Sequence, residues 1–263
     1  MDLGLKDMSA LVMASSAGLG RAVALQLAQE GAYVTICARG EARLRETAEE
    51  IESQTGQSVL AIPADLSNPA AADLLVNAVV DRLGRLDLLF VNAGGPPPGQ
   101  FLDLSVEDWE AAVELTLMSA VRLCYAAVPV MKKQRSGAIL ASTSITVKQP
   151  LPNLILSNSL RLGVTGLLKS LADEVAPFGI RVNGICPGWT RTARVEQLLV
   201  DRAQRNGTTV AEEAGQIAAA IPMGRMATPE EFARVAAFLL SPAASYVNGV
   251  SLLVDGGMYR GVT

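Results

Sequence analysis

The fold of this chain is decided by the stretch Ala14-Ser15-Ser16-Ala17-Gly18-Leu19-Gly20-Arg21, which joins an apolar run to an amphipathic segment. Glycines at such a turn let the backbone approach a diphosphate, and the start of the next helix adds free N–H groups and a positive dipole end. The pattern therefore predicts a strand, a phosphate-binding turn and a helix. Taken alone, it would also fit glycines that only pack a helix closely against a strand.

Short apolar runs alternate with amphipathic segments along the whole chain. Seven runs are typical of buried strands: Ala10–Ala14, Tyr33–Ala38, Val59–Ile62, Leu86–Asn92, Ala138–Ser142, Arg181–Ile185 and Ser251–Val254. The segments between them include Arg21–Glu30, Glu41–Ser53 and Pro69–Leu83. This alternation predicts an α/β fold with a doubly wound parallel sheet of about seven strands and helices on both faces. We expect one domain over residues 1–263, with a helical insertion near residues 191–220 that could cover a site.

The composition excludes several classes of protein. Half of the 263 residues are hydrophobic, 18% are charged and the net charge is −4, so the chain lacks the basic surface typical of nucleic-acid binding. The N-terminal residues Met1–Asp7 are charged, unlike a signal peptide. No run comes near the apolar length that a membrane span needs. We therefore expect a cytoplasmic protein that binds neither nucleic acid nor a membrane.

The chain has three cysteines and no histidine. Cys37, Cys124 and Cys186 lie far apart, each within an apolar stretch, which indicates buried free thiols in a reducing compartment. Without histidine or paired cysteines, we expect no metal site. The absence of histidine also removes every histidine-based catalytic triad or general base.

Three further motifs close predicted strands. Asp65-Leu66 follows the third strand, Asn92-Ala93-Gly94 closes the fourth and Pro187-Gly188 closes the sixth. All of them fall at carboxyl ends of strands, where open parallel sheets bind their ligands. Together with the glycine turn, they favour a dinucleotide site over glycines that serve packing alone.

With these motifs the chain resembles the short-chain dehydrogenase/reductases of the 3-oxoacyl-carrier-protein reductase type over essentially its whole length. The C-terminal stretches Ile221-Pro222-Met223-Gly224-Arg225 and Val254-Asp255-Gly256-Gly257 match that family as well. The resemblance implies a Rossmann-type fold, a nicotinamide cofactor and a small carbonyl or alcohol substrate. One departure is Ala14, which stands where the family's first glycine is expected. We expect its methyl group to shift the loop slightly without abolishing phosphate binding.

The resemblance also implies which residues bind the cofactor: Ala14, Ser15, Ser16, Gly18, Leu19, Gly20, Arg39, Asp65, Leu66, Asn92, Ala93, Gly94, Arg161, Pro187, Gly188, Thr190 and Thr192. Asp65 and Leu66 would lie on the adenine side, and Asn92, Ala93 and Gly94 beside the nicotinamide ribose.

Cofactor choice depends on the end of the second strand, which reads Cys37-Ala38-Arg39 and carries no carboxylate. An acidic residue there would bind the ribose 2′-hydroxyl, whereas an arginine accommodates a 2′-phosphate. We therefore favour NADP(H) over NAD(H). A solvated surface arginine is the alternative interpretation of Arg39.

Catalysis in the family depends on a serine after the fifth strand, a Tyr-x-x-x-Lys pair on the next helix and an asparagine on the preceding helix. Ser144 matches the serine, but the tyrosine and lysine positions hold Ser157 and Arg161, and the asparagine position holds Thr116. The register is set by Gly166-Leu167-Leu168-Lys169-Ser170-Leu171, which fits the family without a gap. Three of the four catalytic residue types are therefore changed.

Ser157 and Arg161 share one helix face at i, i+4 spacing, beside a predicted core stripe of Leu160, Val164, Leu167, Leu171 and Val175. A serine hydroxyl is a far weaker acid than a phenol, and arginine does not give up its proton. Other candidate proton donors are Ser144, a water held by Ser157 and Arg161, or Lys148 in the following loop. A solvated lysine is the alternative for Lys148, and we expect Tyr125 to pack in an interface.

Two functions from different classes remain. One is an NADP(H)-dependent oxidoreductase with an atypical active site; the other is a catalytically inactive nucleotide-binding protein that serves regulation or assembly. The segments Met118–Met131 and Leu154–Val175 are apolar on more than one face. Since family members commonly pair through these helices, the resemblance implies a homotetramer, or at least a dimer.

Overall fold

The computed structural model describes residues 2–262 and contains a seven-stranded sheet in which every strand pair is parallel. The strands are β1 (Ser9–Val12), β2 (Tyr33–Ala38), β3 (Val59–Pro63), β4 (Leu88–Val91), β5 (Gly137–Ser142), β6 (Ile180–Pro187) and β7 (Ser251–Val254). Their order is β3-β2-β1-β4-β5-β6-β7, so the chain reverses direction across the sheet between β1 and β4. The predicted doubly wound parallel sheet is confirmed.

The helices cover both faces of this sheet. They are α1 (Gly18–Gln29), α2 (Glu41–Thr55), α3 (Ala71–Leu83), α4 (Val106–Ala112), α5 (Ser119–Gln134), α6 (Ile155–Val175), α7 (Ala193–Asn206), α8 (Val210–Ala220) and α9 (Pro229–Leu240). Short 3₁₀ turns occur at Phe101–Asp103, Ile145–Val147, Ala176–Phe178 and Pro242–Ala244. Buried side chains of α1, α2 and α9 form the core on one face, and those of α3, α5 and α6 form the core on the other.

The strand side chains alternate between these two cores. In β1, Ala10 and Val12 pack on the α1 side, whereas Leu11 packs on the α6 side. Phe90 of β4 meets Phe232 of α9 edge to face, with ring centroids 6.4 Å apart. Because both faces are buried, the strands appear in the sequence as continuous apolar runs.

The α6 core stripe differs in part from the sequence-based expectation. Leu160, Val164 and Val175 are buried as predicted, but the other three buried positions of this helix are Leu156, Leu168 and Ala172. The predicted Leu167 and Leu171 are half-buried and pack at the edge of the same core. The reason is that a helix with 3.6 residues per turn buries a stripe wider than one row of side chains.

The expectation that no segment has the length of a membrane span is wrong. The helical stretch Val106–Gln134, which joins α4, a π-helical turn (Val113–Met118) and α5, has 29 residues and is long and apolar enough by length and composition. In the sequence, the charged residues Glu114 and Arg122 interrupt the apolar run and conceal its length. In the structure they form an ion pair, 2.7 Å apart. Helix α5 packs beside α3 and against β4 and β5, and its buried side chains belong to the core on that face of the sheet.

The segment predicted as a helical insertion forms α7 and α8. Both helices begin with a threonine N-cap, Thr192 and Thr209, and the Thr209 cap is completed by Glu212 in a capping box. A small core of their own includes Leu199 and Ile217. Since this core is separate from the two sheet cores, α7 and α8 form a distinct layer beside the carboxyl edge of the sheet.

Candidate active site

A cleft of about 350 Å³ lies at the carboxyl edge of the sheet, where loops after β1, β4, β5 and β6 meet α6 and α7. Thirteen of the predicted site residues line it: Ala14, Gly18, Leu19, Asn92, Ala93, Gly94, Ser144, Ser157, Arg161, Pro187, Gly188, Thr190 and Thr192. The structure therefore brings the predicted cofactor motifs together with Ser144, Ser157 and Arg161, three of the four predicted catalytic residues. We call this the nicotinamide-end cleft, after the role that the resemblance implies.

A second cleft of about 300 Å³ adjoins the first and shares Ala14, Ala17 and Gly94 with it. It is lined by the remaining predicted cofactor residues of the second and third strand ends, together with a serine of the glycine turn: Ser16, Arg39, Asp65 and Leu66. We call this the adenosine-end cleft. The two clefts together follow the carboxyl edge across the point where the strand order reverses, which is where open sheets bind dinucleotides.

Two predicted cofactor residues line neither cleft. Ser15 is fully buried; its Oγ donates to the carbonyl of Val12 at 2.9 Å and accepts the N–H of Cys37 at 3.0 Å. A Cβ atom on Gly20 would lie 2.3 Å from the carbonyl oxygen of Ala14. Both residues therefore hold the turn closely between β1, β2 and α1. For Gly20, this is the role in helix–strand packing that the sequence offered as the alternative to phosphate binding.

Ala14 adopts a left-handed backbone conformation, with φ of +50°. β1 therefore ends at Val12, two residues earlier than the sequence pattern indicates, because the chain turns at Ala14 toward α1. A residue with a side chain pays roughly 1–2 kcal/mol for this conformation, and glycine does not. The turn thus keeps a glycine conformation at a position that holds alanine.

Two observations indicate that a dinucleotide fits these clefts. The N-cap of α1, Ala17, gives no side-chain hydrogen bond, so the first-turn N–H groups are open to an anion. Thr190 is buried in the wall of the nicotinamide-end cleft, and its Oγ1 has no partner among residues 2–262. Because buried hydroxyls normally find a partner, Thr190 marks a position for a polar group of a ligand.

The adenosine-end cleft has a carboxylate and a cation at its rim. Hydrogen bonds from the Ser67 N–H and hydroxyl, at 3.0 and 2.8 Å, lower the pKa of Asp65, and the charge of Arg39 lowers it further. Asp65 therefore accepts its bonds from Ser67 as a carboxylate. Arg39 is exposed and forms no ion pair within 4 Å among the described residues, so its guanidinium is available to a ligand anion.

The hydroxyl groups of the nicotinamide-end cleft are linked through a residue that the sequence did not single out. Ser144 Oγ accepts the N–H of Thr146 at 3.1 Å, and Thr146 Oγ1 lies 3.5 Å from Ser157 Oγ, at the limit of a hydrogen bond. Thr146 is itself buried. Its only sequence signal is its place two residues after Ser144, where a serine N-cap is followed by a short turn.

Arg161 is turned toward the end of β5. Its Nη1 donates to the carbonyl of Ser142 at 3.0 Å. Burial, together with the smaller effect of the positive charge of Arg194, lowers the pKa of Arg161 to about 10. The guanidinium still remains charged at neutral pH, so it supplies a fixed cation and hydrogen-bond donors but no transferable proton.

Thr116 lies behind this arginine, in the π-helical turn. It is buried, and its Oγ1 has no hydrogen-bond partner among the described residues. A cavity of about 10 Å³, close to the size of one water molecule, is lined by Thr116, Ser142 and Arg161. Thr116 therefore lines this small cavity and not the open cleft, whereas Arg161 lines both.

Lys148 and Tyr125 lie outside this constellation. Lys148 is exposed after the Ile145–Val147 turn and lines neither cleft, so the structure does not bring it to the site. Tyr125 is 79% exposed on α5.

The three cysteines are free and buried as predicted, and burial raises the pKa of Cys37 and of Cys124 to about 12.

A second arginine in the nicotinamide-end cleft was missed by the sequence reasoning. Arg194, in the first turn of α7, lines the cleft and donates from Nη2 to the carbonyl of Pro96 at 2.6 Å. The sequence placed this residue only within a helical insertion. No pattern in that segment distinguishes Arg194 from the nearby Arg191, which is exposed and lines neither cleft.

The parallel sheet and the ligand clefts at its carboxyl edge define a Rossmann-type dinucleotide-binding class. A family model described as Enoyl-(Acyl carrier protein) reductase matches residues 13–259. The chain belongs to the short-chain dehydrogenase/reductase family, whose members are NAD(P)-dependent oxidoreductases.

Individual relatives span almost the whole chain. The 3-oxoacyl-[acyl-carrier-protein] reductase of Synechocystis sp. is 34% identical over 252 residues, 95% of this chain and 96% of that protein. L-sorbose reductase from Gluconobacter frateurii, solved with NADPH and L-sorbose, is 34% identical with a TM-score of 0.94 and full coverage of both chains. A 7α-hydroxysteroid dehydrogenase, solved with NADH and 7-oxo glycochenodeoxycholic acid, is 28% identical, with a TM-score of 0.89 and coverage of 100% and 98%.

Proposed function

We propose that this protein is an NADP(H)-dependent oxidoreductase that interconverts a small carbonyl compound and its alcohol, as 3-oxoacyl reductases do, with an atypical active site. The observation that carries the proposal is the shared cleft: Ser144, Ser157 and Arg161 line the same cavity as the cofactor loops. Arg39, at the far end of the same edge, supports NADP(H) because it is a free cation at the end of β2.

The residues that would hold the cofactor divide between the two clefts. Arg39 and Asp65 would bind the adenosine half, the N-terminus of α1 the diphosphate, and Thr190 with Gly94 the nicotinamide half. The bound cofactor supplies hydride to a carbonyl or accepts it from an alcohol. The presence of NADPH in the sorbose reductase structure supports the choice of NADP(H), although the hydroxysteroid dehydrogenase was solved with NADH.

Proton transfer in this site must proceed without a phenol or an ammonium group. Ser144 and Ser157 can position a carbonyl oxygen or a water by hydrogen bonds, and the charge of Arg161 favours developing negative charge beside them. We propose that the proton comes from a water held by Ser157 and Arg161 or through Ser144. Lys148, the third candidate, lies on the surface outside both clefts, which favours the first two.

The second candidate function is a catalytically inactive nucleotide-binding protein in regulation or assembly. The observation that favours it is the chemistry of the three positions: Thr116 is buried away from the open cleft, and neither the hydroxyl of Ser157 nor the guanidinium of Arg161 gives up a proton readily near neutral pH. We favour the enzyme, because Ser144, a cation at position 161 and the cofactor motifs all line the clefts.

Fluorescence titration with NADPH, followed by assays of NADPH oxidation across a panel of ketones and 3-oxoacyl thioesters, tests the proposal. We expect saturable NADPH binding and slow oxidation that depends on a carbonyl substrate. Binding without any substrate-dependent oxidation would favour the inactive protein. A failure to bind NADPH or NADH would contradict both functions.

The proposal also includes the form of the molecule. We propose a cytoplasmic protein of one domain, residues 1–263, in which the helices α7 and α8 of the insertion near 191–220 cover the nicotinamide-end cleft. Exposed apolar side chains on the helices that family members use for pairing, Tyr125 on α5 and Leu162 on α6, support a homotetramer or dimer. A monomeric mass by light scattering would contradict the assembly.

A further inference from the structure

Two arginines line the nicotinamide-end cleft without an acidic partner. Arg161 from α6 and Arg194 from α7 are both half-buried, and neither forms an ion pair within 4 Å in residues 2–262. The lining residues that the structure describes include no aspartate or glutamate. By contrast, Arg202 in the same α7–α8 layer is paired with the buried Glu213. Partly buried charges are normally paired, so these two require another explanation.

Most hydrogen-bond donors of the two guanidinium groups remain available. Arg161 uses Nη1 for the carbonyl of Ser142, and Arg194 uses Nη2 for the carbonyl of Pro96. Each guanidinium has five N–H donors in a fixed fork that matches the oxygens of a carboxylate or phosphate. Both groups are therefore held in place by one backbone contact each, with donors left for a ligand.

The electrostatics of the pair favour an anion. Burial lowers the pKa values of Arg161 and of Arg194, and the charge of Arg194 lowers the pKa of Arg161 further. The charge of Asp201, which forms no ion pair with Arg194 within 4 Å, offsets only part of the effect on the pKa of Arg194. The two cations thus repel each other within one cleft and lack full hydration. An anion bound in the cleft would offset both costs, because opposite charges attract more strongly away from bulk water.

The backbone leaves room for Arg194 at this position. A Cβ atom on Gly95 would lie 2.9 Å from Arg194 Nε, so the guanidinium lies directly against a residue without a side chain. A mainly apolar pocket of about 230 Å³ adjoins the cleft and shares Leu154 and Leu198 with it. The region beside the two arginines can therefore accommodate a carbon chain as well as an anionic group.

We infer that Arg161 and Arg194 together bind an anionic group, a carboxylate or a phosphate, on the carbonyl substrate. The inference rests on the proposed function and adds the class of substrate: a carbonyl compound that carries a negative charge. The cofactor diphosphate offers the same chemistry from another source, and the experiment must separate the two.

Isothermal titration calorimetry on the full-length protein saturated with NADP⁺ separates them, because the oxidised cofactor prevents turnover of a ketone. The probes are 4-oxopentanoate and its neutral methyl ester, and the variant is Arg194→Met. Arg191→Met is the matched control. It removes the same charge three residues before Arg194, from an exposed side chain that does not line the cleft. A third titration adds inorganic phosphate to each protein without cofactor.

We expect the acid to bind wild type about tenfold or more tightly than the ester, and Arg194→Met to weaken the acid about ten- to a hundredfold without affecting the ester. Arg191→Met should retain the preference. Equal affinities for acid and ester in wild type would overturn the inference. So would an Arg194→Met protein that keeps its preference for the acid but loses affinity for NADP⁺, because Arg194 would then serve the diphosphate.

The phosphate titration makes failure of this inference distinguishable from failure of the proposed function. If wild type binds no NADP⁺ or neither ketone probe, the proposed function is at fault, and phosphate alone decides on the arginine pair. Phosphate binding that Arg194→Met weakens and Arg191→Met preserves supports the pair as an anion site, provided that Arg194→Met leaves the affinity for NADP⁺ unchanged; a parallel loss of NADP⁺ affinity assigns Arg194 to the diphosphate and overturns the inference. Phosphate binding that is the same in all three proteins overturns it.

Discussion

The two ends of the ligand clefts differ in what they keep from the family pattern. At the adenosine end, Asp65 and Leu66 line the cleft in the expected places, and Arg39 supplies a free cation. At the nicotinamide end, Ser144, Ser157 and Arg161 line the cleft and Thr116 does not, and Ser157 and Arg161 stand where the resemblance implies a phenol and an ammonium group. On the proposed assignment, the adenosine end keeps the side chains that the resemblance implies, and the nicotinamide end does not.

This difference has a physical basis. Binding of the nucleotide depends largely on backbone N–H groups, a helix dipole and close packing, which the fold supplies for many sequences. Proton transfer depends on the pKa and reach of particular side chains, which the fold alone does not supply. Nucleotide binding and proton transfer can therefore change independently of each other.

The largest expected effect is a gain of activity at the nicotinamide end. The triple change Thr116→Asn, Ser157→Tyr and Arg161→Lys should raise reduction of ordinary ketones or 3-oxoacyl thioesters by a factor of about 10² to 10⁴, the usual contribution of general acid catalysis. Ser157→Tyr alone should do less, because an unassisted phenol holds its proton too tightly near neutral pH. Steady-state rates at saturating NADPH measure both. No gain in a triple variant that folds and binds NADPH would contradict the assignment.

The adenosine end should respond in affinity rather than in rate. Arg39→Asp replaces a partner of the 2′-phosphate with a like charge, so we expect the preference for NADPH over NADH to be erased or reversed, a change of about ten- to a hundredfold. Fluorescence titration of both cofactors measures it. Arg82→Asp, on the exposed end of α3, makes the same charge change away from the clefts and should retain the preference. Equal dissociation constants for the two cofactors in wild type would contradict the account.

The turn that the two ends share should respond in stability. Ala14→Gly relieves the left-handed conformation at φ +50° and loses some of that gain to the greater freedom of glycine in the unfolded chain. We expect a net gain of about 0.5–1 kcal/mol in the free energy of unfolding. Denaturant titration measures it. Ala38→Gly, in the extended strand β2, should lower stability instead, and a loss at both positions would show that Ala14 is unstrained.

The smallest expected effect is local and concerns the layer beside the nicotinamide end. Hydrogen bonds from Thr208 and Asn206, both at 2.7 Å, and the smaller effect of Arg202 together lower the pKa of Glu213 to about 2. Because the folded pKa lies below the ordinary value of 4.5, the stabilisation is present above pH 4.5 and is lost as the pH falls toward 2.

Hydrogen exchange of the α8 amides, corrected for the intrinsic pH dependence, measures this loosening. Exchange in α8 should rise between about pH 4.5 and 2 in wild type, while the α1 amides change less. Glu213→Gln should raise α8 exchange at neutral pH and remove most of its pH dependence. Equal protection of α8 in the two proteins at neutral pH would contradict the role of the carboxylate.

The sequence predicts most of the fold because its signals are periodic and local. Continuous apolar runs gave all seven strands, and the order of strands and helices gave the parallel sheet. The length of Val106–Gln134 was missed, since the charged residues Glu114 and Arg122 conceal its apolar character. Leu168 and Ala172 were missed because a buried helix has a wide apolar face.

The candidate site is predicted less completely, and the reason is tertiary. Motifs at strand ends locate residues such as Asn92 and Gly188, because the carboxyl ends of parallel strands meet at one edge. Arg194 comes from a helix in the insertion, so only the folded chain shows that it shares a cleft with Arg161. Likewise, nothing in the sequence indicates that Thr146 lies between Ser144 and Ser157.

We propose that proton transfer takes place at the helix face that carries Ser157 and Arg161, and that cofactor binding depends mainly on the other residues of the two clefts. The most direct test is the single-turnover rate of NADPH oxidation at saturating NADPH, with the best carbonyl substrate of the panel, in wild type and in a Ser157→Ala, Arg161→Ala double variant. The account predicts a slow wild-type rate that falls by about tenfold or more in the double variant. Robust wild-type turnover that survives both changes would contradict it and place the chemistry elsewhere.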